Sequence, residues 1–311
     1  MIAYGSNGGS STPKYRIWDG SNWGSESSAN GIGAAPYWTV LRGSPVSNQF
    51  ALAILDNDVD IEVQIWNGTS WGSNSQATND AGDKTTRLFD LAYEQLSGHL
   101  LLVYRESGTS DIRYRTHNGS AWSSESSYTM TGNTVKWLTL VPKVDSDEIM
   151  LVAQSDHGSN CTRGVVWNGS SFTNLGSSAG AAGLSGTQHA DIAFESTSGQ
   201  VLFTFCQNNN TPGYRTLAGG SWSATANMPS VGGATYWSRL VSDPASDEIL
   251  FASQDATNDI NVNAWTGAAW GANTEVETGT ASTSRRAMDV AYENGGNEAL
   301  LMYDENSNTP K

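Results

Sequence analysis

The sequence predicts an all-β fold, a six-bladed β-propeller of four-stranded antiparallel blades, and three observations predict it. The first is a hairpin signature, Trp66-Asn67-Gly68-Thr69-Ser70-Trp71, which recurs as Trp18–Trp23, His117–Trp122, Trp167–Phe172, Leu217–Trp222 and Trp265–Trp270. The second is its period. The turn glycines Gly20, Gly68, Gly119, Gly169, Gly219 and Gly267 stand 48, 51, 50, 50 and 48 residues apart, and a fixed spacing near fifty marks a repeat architecture. The third lies within a repeat. Arg87–Glu94, His99–Tyr104 and Asp111–His117 read as strands, a fourth begins at Ala121, and the second of them is almost wholly apolar. A strand apolar on both faces is buried on both. Four-stranded units that bury both faces against neighbours are the blades of a propeller.

Each hairpin is expected to turn at Asn-Gly. A type I′ turn needs φ > 0 at both central residues, which Asn and Gly accept most cheaply. With Asn67 and Gly68 at the centre, Trp71 faces Gln64 and lies diagonal to Trp66. The residues then opposite the second aromatic are Arg16, Gln64, Arg115, Val165, Arg215 and Asn263. Arg over Trp would form a cation–π staple.

The first strands reveal a longer rhythm. Asp90, Asp191 and Asp289, each followed four residues later by Glu94, Glu195 or Glu293, alternate with strands carrying Trp38, Trp137 and Trp237. The unit is therefore a pair of blades, Asp-type and Trp-type, present three times with pseudo-threefold symmetry. Tyr15-Arg16 has the Asp-type signature of Tyr114-Arg115 and Tyr214-Arg215. Residues from about 286–311 plus 1–28 should thus form one closing blade shared between the termini of a single domain, 1–311. Leu301–Tyr303 through Thr309-Pro310-Lys311 repeats Ile2–Tyr4 through Thr12-Pro13-Lys14, so this blade has two candidates for its second strand. The spare copy is a route to self-association.

Composition narrows the function. Sixteen Lys and Arg against 31 acids give a formal charge of −15, which repels phosphate backbones and anionic headgroups and argues against nucleic acid and membrane partners. No apolar run approaches the ~18 residues of a membrane helix. Met1 is followed at once by a strand-like Ile-Ala-Tyr, as in a mature segment or an excerpt. Cys161 and Cys206 make no disulfide framework, and one bridge or two idle thiols both remain open. His99, His117, His157 and His189 form no metal spacing, no Gly-X-Ser-X-Gly is present, and the carboxylates repeat with the blade period where an active site would break it. No catalytic residue is expected.

First strands line the channel of a propeller, so Asp90, Asp191 and Asp289 could form an acidic ring for a hard cation such as Ca²⁺. Their other reading is to cap backbone N–H groups of the adjacent blade. Asp56, Asp58 and Asp60 are a second Ca²⁺ candidate, or a solvated turn. No further cofactor is expected. Trp38, Trp137 and Trp237 either pack between blades or offer indole faces to sugar rings.

Trp-Asp-Gly-X-X-Trp, at residues 18–23, resembles the repeat of the six-bladed fucose-binding lectins. That family places a fucose-binding Glu three residues before the first Trp, where this chain has Tyr15, Val63, Tyr114, Gly164, Tyr214 and Val262. Fucose recognition is therefore not implied. The Gly-X-X-Trp ending is similar to the Asp-box of sialidase propellers, but Trp18, Trp66, His117, Trp167, Leu217 and Trp265 stand at its Asp. A more general resemblance is to the propeller repeats of large secreted bacterial surface proteins. The function expected is a non-catalytic extracellular or cell-surface module for binding, adhesion or structure, with a glycan or a surface protein as partner. The alternatives are a lectin with repeated inter-blade sites, and a sialidase-type hydrolase joining carboxylates to Arg42, Arg239 and Arg286.

Overall fold

The computed structural model describes residues 1–6, 8–129, 134–155, 159–181, 186–280, 282–295, 298–306 and 311. All regular elements among them are β-strands, and none is a helix. The chain divides into two compact units, Met1–Ile149 and Met150–Lys311.

The first unit opens with a three-stranded sheet, Ile2–Tyr4, Lys14–Arg16 and Ser27–Ser28. A Trp-type sheet follows: Pro36–Gly43, Phe50–Asp56, Ile61–Trp66 and Ser75–Thr78, in that order. Next comes an Asp-type sheet of Phe89–Tyr93, Leu100–Arg105, Ile112–His117 and Ser126–Tyr128. The following Trp-type repeat runs across the division, with Val135–Pro142 in the first unit and Ser159–Trp167 and Phe172–Ala181 in the second.

The second unit continues with an Asp-type sheet, Ala190–Phe194, Val201–Phe205 and Gly213–Ala218, edged by Ser221–Trp222 and Ala226–Asn227. Its Trp-type sheet is Thr235–Ser242, Ile249–Asp255, Asp259–Trp265 and Thr274–Thr278. Met288–Tyr292 and Ala299–Tyr303 form a two-stranded sheet at its end. Every described pairing is antiparallel, as expected. The second strands Leu100–Arg105 and Val201–Phe205 are buried along their whole length. Their apolar residues join inter-sheet cores such as Leu55, Ile61, Leu91 and Leu102 in the first unit and Leu202, Leu240 and Phe251 in the second.

The hairpins differ from the expected geometry. Trp66 lies opposite Trp71, and Asn67 N–H donates to Ser70 O at 3.0 Å. The turn centre is therefore Gly68-Thr69, one residue later than a type I′ turn at Asn-Gly. The cause is the Asn67 side chain, whose Oδ1 accepts the N–H groups of Thr69 and Ser70 at 2.9 Å each. Only Gly68 needs positive φ, +102°. The same register pairs Trp18 with Trp23, His117 with Trp122, and Trp265 with Trp270. Each Trp pair is thus directly opposed, with ring centroids 5.5 Å apart in the Trp66–Trp71 case. Among the described residues the Arg–Trp staple inferred from the other register is not seen, and a cation–π contact instead sets Arg87 over Trp137 at 5.1 Å.

The fourth strand of the Phe89–Tyr128 sheet begins later than predicted. Trp122 makes an isolated bridge and regular pairing resumes at Ser126, because Ser123 bonds Thr116 through both its N–H and its Oγ.

The strands expected to make one closing blade stand in two sheets. Ile2–Tyr4 pairs with Lys14–Arg16, Tyr4 opposite Lys14. Tyr303, at the end of Ala299–Tyr303, exchanges backbone bonds with Lys311 at 3.0 and 2.9 Å. Both copies of the duplicated strand therefore hold the second-strand position, each beside its own terminal partner.

Candidate functional site

Asp90 lies on the Asp-type strand Phe89–Tyr93 and is fully buried. Its Oδ1 accepts Leu91 N–H at 2.9 Å and Arg42 Nη2 at 3.2 Å. Its Oδ2 accepts Leu140 N–H at 2.9 Å and Arg87 Nη2 at 3.3 Å. Four donors use the acceptor capacity of a carboxylate. In the second unit Asp191, also fully buried, accepts Ile192 N–H, Leu240 N–H and Arg239 Nη1 at 3.0, 3.0 and 3.3 Å. Burial pushes its carboxyl up against the pull of Arg239. Asp90 and Asp191 are thus clasps between one sheet and the inner strand of the next. Asp289 bonds Val290 N–H, Arg239 and Arg286 but is 57% exposed.

The tryptophans expected to meet sugars are occupied by packing. Trp137 and Trp237 are buried and Trp38 is half-buried. Trp38 meets Trp137 edge-on at 5.4 Å. The indole N–H of Trp38 donates to Lys84 O at 2.9 Å, and that of Trp237 to Thr283 O at 2.8 Å.

Asp56, Asp58 and Asp60 form a turn around Asp56, which is buried. Its Oδ1 accepts the N–H groups of Asp58 and Asp60 at 2.9 and 3.0 Å, and its Oδ2 that of Ala34 at 3.0 Å. Asp255 repeats the pattern with Thr257, Asp259 and Gly233. Among the described residues no group of three or more His, Cys, Asp or Glu side chains is arranged to hold a metal ion.

A different cluster lies at the outer edge of the Asp-type sheets. In the first unit Arg113 Nε pairs with Glu106 at 3.1 Å, and Arg113 and Arg115 each stand 3.9 Å from Glu125. Tyr104 donates its hydroxyl to Glu125. Burial first, and the Glu125 charge with it, push that hydroxyl far above its ordinary value. Arg115 and Glu125 are partly exposed, with side chains 26% and 31% open; Trp122, three residues before Glu125, is half-buried and stands opposite His117. The buried Nε of Arg115 has no hydrogen-bond partner among the described residues. Tyr4 likewise donates to Glu26 at 2.7 Å, and Trp18 and Trp23, opposed in the hairpin that precedes Glu26, are exposed. In the second unit Phe205 and Thr225 replace the Tyr and the Glu, and Arg215 Nε donates to Thr225 at 2.9 Å.

Sequence reasoning centred on the hairpins passed over Glu26 and Glu125. The signal was there: Arg16 to Glu26, Arg115 to Glu125 and Arg215 to Thr225 keep one ten-residue spacing. A guanidinium, a carboxylate and an indole face with limited mutual pairing suit a neutral polyol, whose hydroxyls take both donors and acceptors.

The position at which fucose lectins carry Glu has another use here. The Tyr15 ring packs onto Trp66 and Trp71 of the next hairpin, both at 5.6 Å. Tyr214 packs onto Trp265 and Trp270 at 5.5 and 5.8 Å.

No protein-family model matches the chain, and no curated protein matches it significantly. Solved structures do. The BP39L lectin of Burkholderia pseudomallei is similar with a TM-score of 0.64 at 8% identity, over 86% of this chain and 78% of that one. The fungal lectin of Aleuria aurantia, described as a six-bladed β-propeller with a novel fucose recognition mode, gives 0.52 at 18% identity over 87% and 89%. AofleA from Arthrobotrys oligospora gives 0.52 at 14% identity over 85% and 79%. At these identities the likeness is one of fold: the chain shares the β-propeller fold of six-bladed lectins.

Proposed function

We propose that this chain is a non-catalytic carbohydrate-binding propeller that works outside the cell or at its surface, and that Arg115, Glu125 and Trp122 form its glycan site. The observation that carries this reading is the partly exposed Arg115–Glu125 pair, borne by the two chain segments that flank the His117–Trp122 turn, on a fold shared with carbohydrate-binding lectins. The guanidinium donates to adjacent hydroxyls, the carboxylate accepts from them, and Trp122 receives the apolar face of the ring. Glu26 with Trp18 and Trp23 makes a second site of the same chemistry. Where Thr225 replaces the Glu, binding is weaker.

Lectin chemistry fits better than hydrolysis. Arg42 pairs with Asp90, while Arg239 and Arg286 are paired with strand aspartates in the second unit. Each of these arginines is thereby paired with a strand aspartate, buried for Arg42 and Arg239 and exposed for Arg286.

Calorimetric titration with a panel of neutral mono- and disaccharides, fucosides included, tests the proposal. Saturable binding is expected, with Arg115→Ala and Glu125→Gln each weakening it at least tenfold while the circular dichroism spectrum is unchanged. Binding that both variants leave intact, or none across the panel, overturns the assignment. Turnover of an aryl glycoside that one carboxylate substitution abolishes would overturn the non-enzyme reading.

A further inference from the structure

Two Trp-type sheets build the same turn between their second and third strands, around Asp56 in the first unit and Asp255 in the second. Each of these buried aspartates gathers three backbone donors. Asp56 accepts the N–H groups of Asp58, Asp60 and Ala34, and Asp255 those of Thr257, Asp259 and Gly233. The two turns differ in chemistry at two positions. Where the second has Thr257 and Asn261, the first has Asp58 and Glu62.

The Asp255 turn is satisfied from within. The Thr257 hydroxyl lies 2.6 Å from Asp255 Oδ1 and 2.7 Å from Asp259 Oδ2, and the Asn261 amide donates to Asp255 Oδ2 at 3.2 Å. Asn273 in turn donates to Asn261 Oδ1 at 2.7 Å. A hydroxyl and an amide thus hold this pair of carboxylates.

The Asp56 turn has carboxylates at both places, and an ionised carboxylate only accepts. Asp56, Asp58, Asp60 and Glu62 follow at alternate positions. Asp56 Oδ2 and Asp60 Oδ2 converge on Gly33, where an added Cβ would lie 3.6 and 3.8 Å from them. Gln76, directly opposite Glu62 in the ladder and so on its face, reaches Asp60 Oδ2 at 3.2 Å. Glu62 is only 9% exposed, and its buried Oε2 has no hydrogen-bond partner among the described residues. Asn74, at the position of Asn273, donates to Gly31 O at 2.6 Å instead, and Lys84 Nζ donates to Asn57 O at 2.7 Å. Burial, and the Asp56 charge with it, raise the carboxyls of both Asp60 and Glu62 above their ordinary values. An orphaned, buried carboxylate oxygen beside further carboxylates is what a bound cation satisfies.

We propose that the Asp56 turn is a Ca²⁺ site, with Asp56 Oδ2, Asp60 and Glu62 Oε2 as its protein ligands and Asp58 adding charge. An anionic, all-oxygen set suits a hard cation over one that seeks nitrogen or sulfur. Ca²⁺ accepts an irregular shell of about six to eight oxygens, water included, where Mg²⁺ demands a near-ideal octahedron. The cation then does what Thr257 and Asn261 do in the other turn. As the chain stands, no three of these carboxylates are arranged to hold a metal ion. Binding gathers them by rotation of the Asp60 and Glu62 side chains, while Asp56 stays fixed by its three N–H bonds. Through Ala34 the site also ties the segment leading into Pro36–Gly43 to the turn. This inference does not depend on the glycan site.

Thermal melts and calorimetry of the full chain, stripped of metal with a chelator and titrated with CaCl₂, are the test, with hydrogen exchange at Ala34 and Asp60 followed in the same samples. One saturable site is expected, with a Kd of roughly 10⁻⁴–10⁻³ M, a melting temperature that rises to a plateau, and slower exchange at both amides. MgCl₂ should bind at least tenfold more weakly. Asp60→Asn should weaken calcium binding at least tenfold. Glu62→Gln removes the buried charge, so without calcium it should melt at or above the wild type and yet lose the rise that CaCl₂ gives, a reversal that a purely structural Glu62 does not produce. Asp58→Thr combined with Glu62→Asn copies the Asp255 turn and should fold without responding to CaCl₂. A wild-type chain that ignores CaCl₂, or responds equally to MgCl₂, overturns the proposal, as does a calcium response that Glu62→Gln or the double variant retains in full.

Discussion

Glu62 shows how a single side chain can be held against its preference. It is only 9% exposed, its Oε2 has no hydrogen-bond partner among the described residues, and burial together with the Asp56 charge raises its carboxyl above its ordinary value. A raised folded-state value means that the native protein binds this proton more readily than the unfolded chain. The Glu62 contribution therefore worsens as pH rises from acid through that value. Glu62→Gln keeps the shape without the charge and should stabilise the protein at neutral pH by about 1 kcal/mol, with the gain fading toward acid pH. Thermal melts at neutral and acid pH would show it, and a variant that melts lower at pH 7 would refute it. Asp147 behaves in the opposite sense. Desolvation raises its carboxyl, but the N–H groups of Ser97 and Leu96 at 2.8 and 3.0 Å outweigh it and the value falls below the ordinary 3.8. Its contribution is complete above that ordinary value and is lost as pH falls through the depressed one.

At the scale of the hairpin, recurrence and chemistry were legible while register was not. Asn-Gly pointed to a turn, yet the Asn67 side chain captured two backbone donors and moved the turn centre to Gly68-Thr69. That one-residue shift decided whether Trp71 faces Gln64 or Trp66. Asn67→Ala should cost about 1 kcal/mol through the two lost bonds. Gly68→Val should cost about 1–2 kcal/mol, because a β-branched residue is forced to positive φ. Chemical denaturation of both variants would rank them, and equal stability of Gly68→Val and the parent would contradict the turn geometry. The Arg115–Glu125 edge was legible only as a ten-residue spacing, because nothing local announces that Tyr104 on another strand donates to Glu125.

Across the whole molecule, equivalent residues in a repeat series carry unequal weight. Asp191 ties Ala190–Phe194 to Leu240 and Arg239 with no exposure, whereas Asp289 at the matching position is open. Asp191→Ala should therefore cost about 3–5 kcal/mol by leaving buried donors unpaired, and Asp289→Ala within about 0.5 kcal/mol in the monomer. Urea unfolding at low protein concentration compares them, and similar losses would mean that the last strand is covered in solution.

By itself the sequence determined the all-β class, the six hairpins, the near-fifty-residue period and the alternation of Asp-type and Trp-type strands. All of these are written in local residue order, because turn chemistry and strand burial act over a few residues and repeat. The tertiary structure decided what each repeated group is used for. Asp90 became a clasp because Leu140, fifty residues on, presents an N–H to it. Trp137 became packing because Arg87 and Trp38 cover it. The duplicated terminal strands settled beside their own neighbours. A carboxylate or an indole has the same chemistry in every repeat, and only the partner brought to it across the fold determines whether it clasps, packs or stays open to bind.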